Sequence, residues 1–241
     1  IKVTYHYQTS YPYLLSSTEM QSDTGNSKTT YQYDLYQNPI STTVSYNNNQ
    51  ASNKFTNVYD QYGIEQSGSD QLTNTNARFK YDSLGQVIEK DYNDGHVIKY
   101  IYNDQNQLQD KLIDSIDYHY TYNNLLQVSN LTISNNQNGN TLIFRYTYDD
   151  EGRILSEIDD HTAKTYEYTQ IGQLKNYTCT EMSLPASYCP RDVNGKGISS
   201  SAYSYDGLNN LTTIDKQYED GSNAQATYSY GNTDPTQLSH Y

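Results

Sequence analysis

A pair of tyrosines separated by one residue recurs along most of the sequence. The second aromatic of each pair returns at intervals of 20 to 26 residues, and once of 37, in about nine successive segments. Residues two apart on a β-strand point to the same face of the sheet, so each pair places two rings on one side. The pairs are Tyr31/Tyr33, Tyr100/Tyr102, Tyr120/Tyr122, Tyr146/Tyr148, Tyr166/Tyr168, Tyr203/Tyr205 and Tyr228/Tyr230, and Phe79 and Asn57 replace the first tyrosine before Tyr81 and Tyr59.

The residues that follow each pair have the pattern of a tight turn. The next residue is often aspartate, the fourth is often glycine or asparagine, and the sixth is often aliphatic. Aspartate favours the first position of a turn, and glycine or asparagine tolerates the positive φ that closes it. These residues are Asp34, Asp60, Asp82, Asp149 and Asp206; Gly63, Gly85, Asn106, Gly152, Gly172 and Asn209; and Val87, Leu108, Val128, Ile154, Leu174 and Leu211.

Each repeat is therefore predicted to be one β-hairpin, and the chain is predicted to be all-β. An isolated hairpin is marginally stable in water, so the hairpins are expected to pair edge to edge in one long curved sheet. We interpret residues 1–241 as a single repeat array, most regular over 31–241, with an irregular loop insertion at 179–201. The runs Asn47–Asn49 and Asn135–Asn140 are expected at hairpin tips.

Composition agrees with a core built from aromatic residues. The chain has 29 tyrosines, a mean hydropathy of −0.93 and a formal net charge of −13. A buried tyrosine removes roughly 150–250 Å² from water, so stacked tyrosines are expected to replace the usual aliphatic core. The acidic balance argues against nucleic acid as a partner. No apolar stretch reaches the ~18 residues of a membrane span, and no signal peptide is visible after Ile1.

No motif nominates catalytic, cofactor-binding or metal-binding residues. The five histidines, of which His161 and His240 are the last two, are scattered without metal-ligand spacing. Cys179 and Cys189 stand ten residues apart in the irregular segment, as either a disulfide or two free thiols. The acidic run that begins at Asp149 coincides with a turn of the repeat, which explains it without catalysis.

The repeat resembles the YD repeat of the RHS family. The segments that carry the resemblance are Tyr146–Ile154 and Phe79–Val87, and it extends from about Tyr31 to Tyr230. The C-terminal part is similar to the shell-forming region of the C component of bacterial insecticidal toxin complexes. The segments that carry this second resemblance are Cys189-Pro190, Tyr203–Leu211, Asp220-Gly221, Ala226–Tyr230 and Asp234–Leu238.

The resemblance implies a non-enzymatic segment of a hollow shell, exported as part of an extracellular bacterial toxin. Its partners would be the remaining B and C components, an enclosed toxic domain and, indirectly, a pore-forming A component, without a cofactor. No counterpart of the family's aspartyl self-cleavage segment is present. Gln37 and Pro39 depart from the consensus, so a B-like or C-like assignment stays open. The alternative is a secreted carbohydrate- or cell-surface-binding repeat protein, and no motif supports a third possibility, an enzyme.

Overall fold

The chain is all-β, as the repeat predicts. A computed structural model describes residues 1–47, 51–183, 188–231 and 236–239, and the regular elements in these ranges are 19 strands without a helix. The Asn47–Asn49 tip, Asp234 and His240 lie wholly or partly outside the described residues. The described chain divides into two compact units, residues 1–115 and 116–241.

The first unit is an open antiparallel sheet in which each strand pairs with the next one in the sequence. Two strands precede Tyr31, so the sheet begins well before the regular repeats. The strands are β1 (Lys2–Tyr7), β2 (Leu15–Ser22), β3 (Gly25–Tyr33), β4 (Pro39–Tyr46), β5 (Ala51–Tyr59), β6 (Glu65–Asp70), β7 (Thr75–Tyr81), β8 (Val87–Tyr92), β9 (Val97–Tyr102) and β10 (Leu108–Ile113).

The second unit is built in the same way, again with every strand antiparallel to the one before it. The Asn135–Asn140 run forms the turn between its second and third strands. The strands are β11 (Ile116–Tyr122), β12 (Val128–Asn135), β13 (Thr141–Tyr148), β14 (Ile154–Ile158), β15 (Thr162–Tyr168), β16 (Leu174–Glu181), β17 (Ile198–Tyr205), β18 (Leu211–Tyr218) and β19 (Asn223–Thr227).

A bulge stands beside the second tyrosine of the repeat hairpins. In β7 and β8, Lys80 is opposite Glu89, but the adjacent Tyr81 is opposite Val87, so one strand carries an extra residue. The same shift occurs at Tyr148 and at Tyr205. A bulge of this kind increases the local twist and re-aims the neighbouring side chain, here the second tyrosine.

The turn that produces this bulge is closed by a left-handed residue. In each turn, the fourth residue after the second tyrosine donates its N–H to the carbonyl of the first residue after that tyrosine. Gly85 donates to Asp82 in this way over 3.2 Å. A hairpin turn followed by a left-handed residue is the usual origin of such a bulge. The fourth residues, all with positive φ, are Gln37, Gly63, Gly85, Asn106, Leu126, Gly152, Gly172 and Asn209.

Leu126 is strained in this position, which gives a test of the turn geometry. Its φ is 64°, and the left-handed region costs a residue with a Cβ about 1–2 kcal/mol. Glycine removes this cost but loses about 0.5–1 kcal/mol more entropy on folding, so we expect Leu126→Gly to raise the free energy of unfolding by a net of about 0.5–1 kcal/mol in urea titrations. The control is Leu125→Gly, since exposed Leu125 is not left-handed. An equal rise in the free energy of unfolding of Leu125→Gly would contradict the interpretation that Leu126 is strained by its positive φ.

Candidate functional site

The hydroxyl of the second tyrosine bonds the preceding hairpin. Tyr102 donates to the carbonyl of Val87 over 2.9 Å, and Tyr148 donates to that of Val128 over 2.6 Å. In each case the acceptor is the sixth residue after the previous second tyrosine, where the returning strand begins. The other bonds of this series are Tyr59 to Pro39, Tyr81 to Glu65, Tyr168 to Ile154, Tyr205 to Leu174 and Tyr230 to Leu211.

These bonds, which we call the tyrosine ladder, stand where the paired register between two hairpins ends. The register between β8 and β9 stops at the Glu89–Lys99 pair, two residues short of Val87. The carbonyl of Val87 therefore lies beyond the last paired residue, and the Tyr102 hydroxyl is its donor. An unpaired backbone group removed from water is costly, so the hydroxyl satisfies a group that the backbone register leaves open.

The repeat tyrosines are half-buried rather than enclosed in a core. Within each unit the pairs lie on one face of its sheet, here called the tyrosine face, and their members keep intermediate exposure. Burial raises the pKa of Tyr102 and of Tyr148. The expected continuous stack of rings is largely replaced by the hydroxyl–carbonyl bonds, although Tyr166 and Tyr177 lie with ring centroids 5.6 Å apart. A single sheet cannot enclose its side chains, which is why burial stays partial.

The first residue of each repeat turn holds the turn with its side chain. One carboxylate oxygen of Asp82 accepts the backbone N–H groups of Leu84 and Gln86, each at 2.9 Å. The same two bonds are made by Asp34, Asp60, Asp149 and Asp206, and by Asn103 and Asn123 in two of the turns that lack aspartate. In a third such turn, the Thr169 hydroxyl accepts the N–H of Gln173.

A fifth turn residue contributes, and the sequence analysis missed it. The second oxygen of Asp206 accepts the side-chain amide of Asn210 at 2.9 Å, and that of Asp149 accepts Nε of Arg153 at 2.5 Å. The signal was available, since the fifth residue after the second tyrosine is an amide or arginine in most repeats. The residues are Asn38, Gln86, Gln107, Gln127, Arg153, Gln173 and Asn210.

The two cysteines are joined in the structure, with a Cα–Cα distance of 5.9 Å. The boundaries expected for the irregular segment, 179–201, are too wide: β16 continues through Cys179 to Glu181, and β17 begins at Ile198. The reason is that alternation continues through Tyr177, Cys179 and Glu181 on one face. One oxygen of Glu181 accepts the N–H groups at positions 188 and 189. The connecting segment is thus fastened to the tyrosine face, and its residues 184–187 lie outside the described ranges.

Several residues that could carry chemistry have structural partners in the described part of the chain. The possible metal-ligand group found there is Glu181, Cys189 and Glu219, but the sulfur of Cys189 is bonded to Cys179. Two carboxylates remain, which is fewer ligands than a protein cation site normally supplies. His161 stacks on the Tyr188 ring, with centroids 4.1 Å apart. A further acidic residue, Asp159 in the turn after β14, accepts the backbone N–H and the hydroxyl of Thr162.

Solved structures of Tc toxin proteins share this fold. The chain superimposes on TcdB2-TccC3 without its hypervariable C-terminal region with a TM-score of 0.71 at 16% identity over 95% of this chain. For a Photorhabdus luminescens Tc holotoxin pore carrying a TccC3 mutation, the values are 0.69, 15% and 94%. The chain spans 15% and 14% of those chains. No family model and no curated protein matches the sequence.

These similarities confirm the resemblance at the level of the fold. The superposition extends over 94–95% of this chain, so these Tc toxin structures share its fold of antiparallel hairpins. At 15–16% identity, this similarity shows the fold alone.

The tyrosine ladder predicts different responses to the same substitution at two tyrosines. Tyr148→Phe removes the donor to Val128, so we expect it to lower the free energy of unfolding by about 1 kcal/mol. The hydroxyl of Tyr177 is buried without a hydrogen-bond partner among the described residues, and burial raises the pKa of Tyr177 to about 12.

Tyr177→Phe should therefore leave stability unchanged or raise it, because it removes an unsatisfied polar group. Urea titrations of both variants at pH 7 compare them directly. If Tyr148→Phe costs no more than Tyr177→Phe, the hydroxyl–carbonyl bonds do not stabilise the sheet.

The turn aspartates predict a component of acid sensitivity. The side-chain amide of Asn210 and the backbone N–H groups hold the pKa of Asp206 below its ordinary value. Such a group stabilises the folded chain above its unfolded pKa, about 3.9, and the stabilisation is lost as the pH falls through the lower folded pKa. Asp206→Asn should keep the turn at pH 7, as Asn103 does in its own turn, and should flatten the fall in unfolding free energy below about pH 4.

Urea titrations across the acidic range measure this slope. The matched control is Asp104→Asn, an exposed aspartate at the second position of a repeat turn. An equal flattening in the control would show that overall charge, rather than the turn bonds, causes the effect.

Proposed function

We propose that this chain is a segment of the wall of a toxin-complex shell that encloses and protects a cytotoxic C-terminal cargo for delivery. The observation that carries the proposal is the fold shared with the Tc shell chains over 95% of this chain. The regular tyrosine ladder supports it, because each hydroxyl joins consecutive hairpins at the end of their paired register.

The role is mechanical. A wall must keep its strands together along their whole length, because an opening at the strand ends would admit water and proteases. The ladder stabilises those ends, and the aspartate-centred turns fix the hairpins that bring each tyrosine into position. No step of this role needs a catalytic group or cofactor. Among the described residues, no helix is long and apolar enough to cross a membrane.

The partners follow from the same proposal. They are the rest of the B and C shell components, the enclosed toxic domain and, indirectly, a pore-forming A component, in an extracellular bacterial toxin. The disulfide between Cys179 and Cys189 supports export, since disulfides persist mainly in oxidising compartments. The alternative, a carbohydrate-binding repeat protein, is less favoured because the repeat tyrosines are half-buried and many of their hydroxyls are already bonded.

Protease protection tests the wall. We expect the polypeptide that carries this chain and its cargo, expressed whole, to shield the cargo from an added protease under native conditions. Replacing Tyr148 and Tyr168 together by phenylalanine removes two ladder bonds and should lower the temperature at which shielding is lost.

Tyr62→Phe is the matched control, because Tyr62 is 79% exposed in a turn. A cargo that is digested at once in the unmodified assembly would refute the proposal. Binding of this chain to arrayed glycans, with no shielding of the cargo, would favour the alternative.

A further inference from the structure

A cleft lies on the tyrosine face of the second unit. It has a volume of about 480 Å³ and extends across four strands, from β15 to β18. Cleft volumes of roughly 300–1,000 Å³ are typical of ligand sites. The ladder and the turns lie at the strand ends and share only Leu174 with the cleft, so they do not account for it.

The disulfide-fastened segment forms one wall of the cleft. Cys179 lies on the tyrosine face and is bonded to Cys189, so the following Pro190 is brought over the sheet. The carbonyl of Pro190 accepts the N–H of Ile198 at 2.8 Å, which holds the two ends of the segment together. Both cysteines are 4% exposed and Ile198 is 8% exposed. This wall is therefore anchored better than most of the described chain.

The floor is apolar and aromatic. Three tyrosine rings line it, one from each of β15, β16 and β17, together with aliphatic side chains. One of these tyrosines, Tyr177, carries the buried hydroxyl without a partner. The apolar and aromatic lining residues are Tyr166, Leu174, Tyr177, Pro190, Ile198, Tyr203 and Ile214, and the buried Ser201 also lines the cleft.

The cleft is positively charged in an otherwise acidic chain. Lys164 and Lys216 line opposite ends of the four-strand span. The ammonium group of Lys164 is paired with Glu157 at 2.5 Å, whereas Lys216 forms no ion pair with the described residues. The cleft therefore presents one positive charge without a counter-charge, although the whole chain has a formal net charge of −13.

We propose that this cleft binds an extended polypeptide segment that carries bulky apolar side chains beside one carboxylate. The apolar side chains occupy the aromatic floor, and the carboxylate binds the ammonium group of Lys216. Four strands span about 14 Å at ~4.8 Å per strand, which is the length of about four extended residues. A small free carboxylate would reach Lys216 but leave most of the floor uncovered.

The enclosed cargo is the source of such a segment, and this identification rests on the proposed wall function. The binding of a peptide to the cleft does not depend on the wall function, because it is measured on this chain alone. A failure of peptide binding would leave cargo shielding untouched, and a failure of shielding would leave peptide binding untouched.

The test uses fluorescein-labelled peptides and fluorescence anisotropy. The probe is Ser-Gly-Phe-Leu-Asp-Gly-Ser, and the comparison peptides carry lysine in place of the aspartate, or two serines in place of Phe-Leu. We expect the probe to bind more tightly than either comparison peptide. Lys216→Met should weaken probe binding by about tenfold, the effect of losing a hydrogen-bonded charge, while Lys216→Arg keeps most of the affinity.

Lys54→Met is the matched control, since Lys54 is exposed on the opposite face of the first unit's sheet and should not affect binding. Thermal unfolding checks that each variant folds. Equal binding of the basic peptide, or equal loss in Lys54→Met, would overturn the proposal. Binding of free 3-phenylpropionate as tightly as the probe would overturn the polypeptide occupant.

Discussion

The bond between a tyrosine hydroxyl and a backbone carbonyl of the preceding hairpin is the interaction on which the regularity of this structure depends. Backbone pairing alone does not continue to the ends of the strands, since the register between β8 and β9 stops two residues short of Val87. The Tyr102 hydroxyl supplies the next bond. Phenylalanine would give the same apolar area without that donor, which is a physical reason for a sequence with 29 tyrosines and 3 phenylalanines.

The turn serves this bond. The carboxylate or amide of the first turn residue holds the backbone, and the left-handed fourth residue produces the bulge that re-aims the second tyrosine. The turn aspartate, the left-handed glycine and the second tyrosine therefore act together to form one hydroxyl–carbonyl bond. Leu126 adopts the same positive φ as the glycines, which shows that the surrounding pairing imposes the geometry even on an unsuitable residue.

The sequence predicted the hairpins because their determinants are local. The two-residue alternation of the strand, the turn aspartate and the left-handed glycine all fall within about ten residues of one another. The segment Tyr146–Ile154 is therefore enough to predict a hairpin. The hydroxyl acceptors could not be predicted, because Val128 and Tyr148 are joined only by the register between two hairpins. The prediction of a stacked tyrosine core was wrong for a related reason. The composition gives the number of rings, but only the structure shows that, within each unit, they lie on one face of an open sheet. The end of the regular strand at Glu181 was missed because the cysteine was taken as a loop residue.

The irregular segment between β16 and β17 has a consequence that a plain repeat would not give. A uniform sheet presents the same shallow surface at every hairpin, and such a surface discriminates poorly between ligands. The disulfide brings Pro190 over the tyrosine face, and this adds a wall to the cleft that Tyr177 and Lys216 line. A wall that only encloses needs no such feature. This departure from the repeat creates a cleft with a local positive charge. It therefore supports the proposal that this face binds a particular kind of polypeptide segment in addition to forming a barrier.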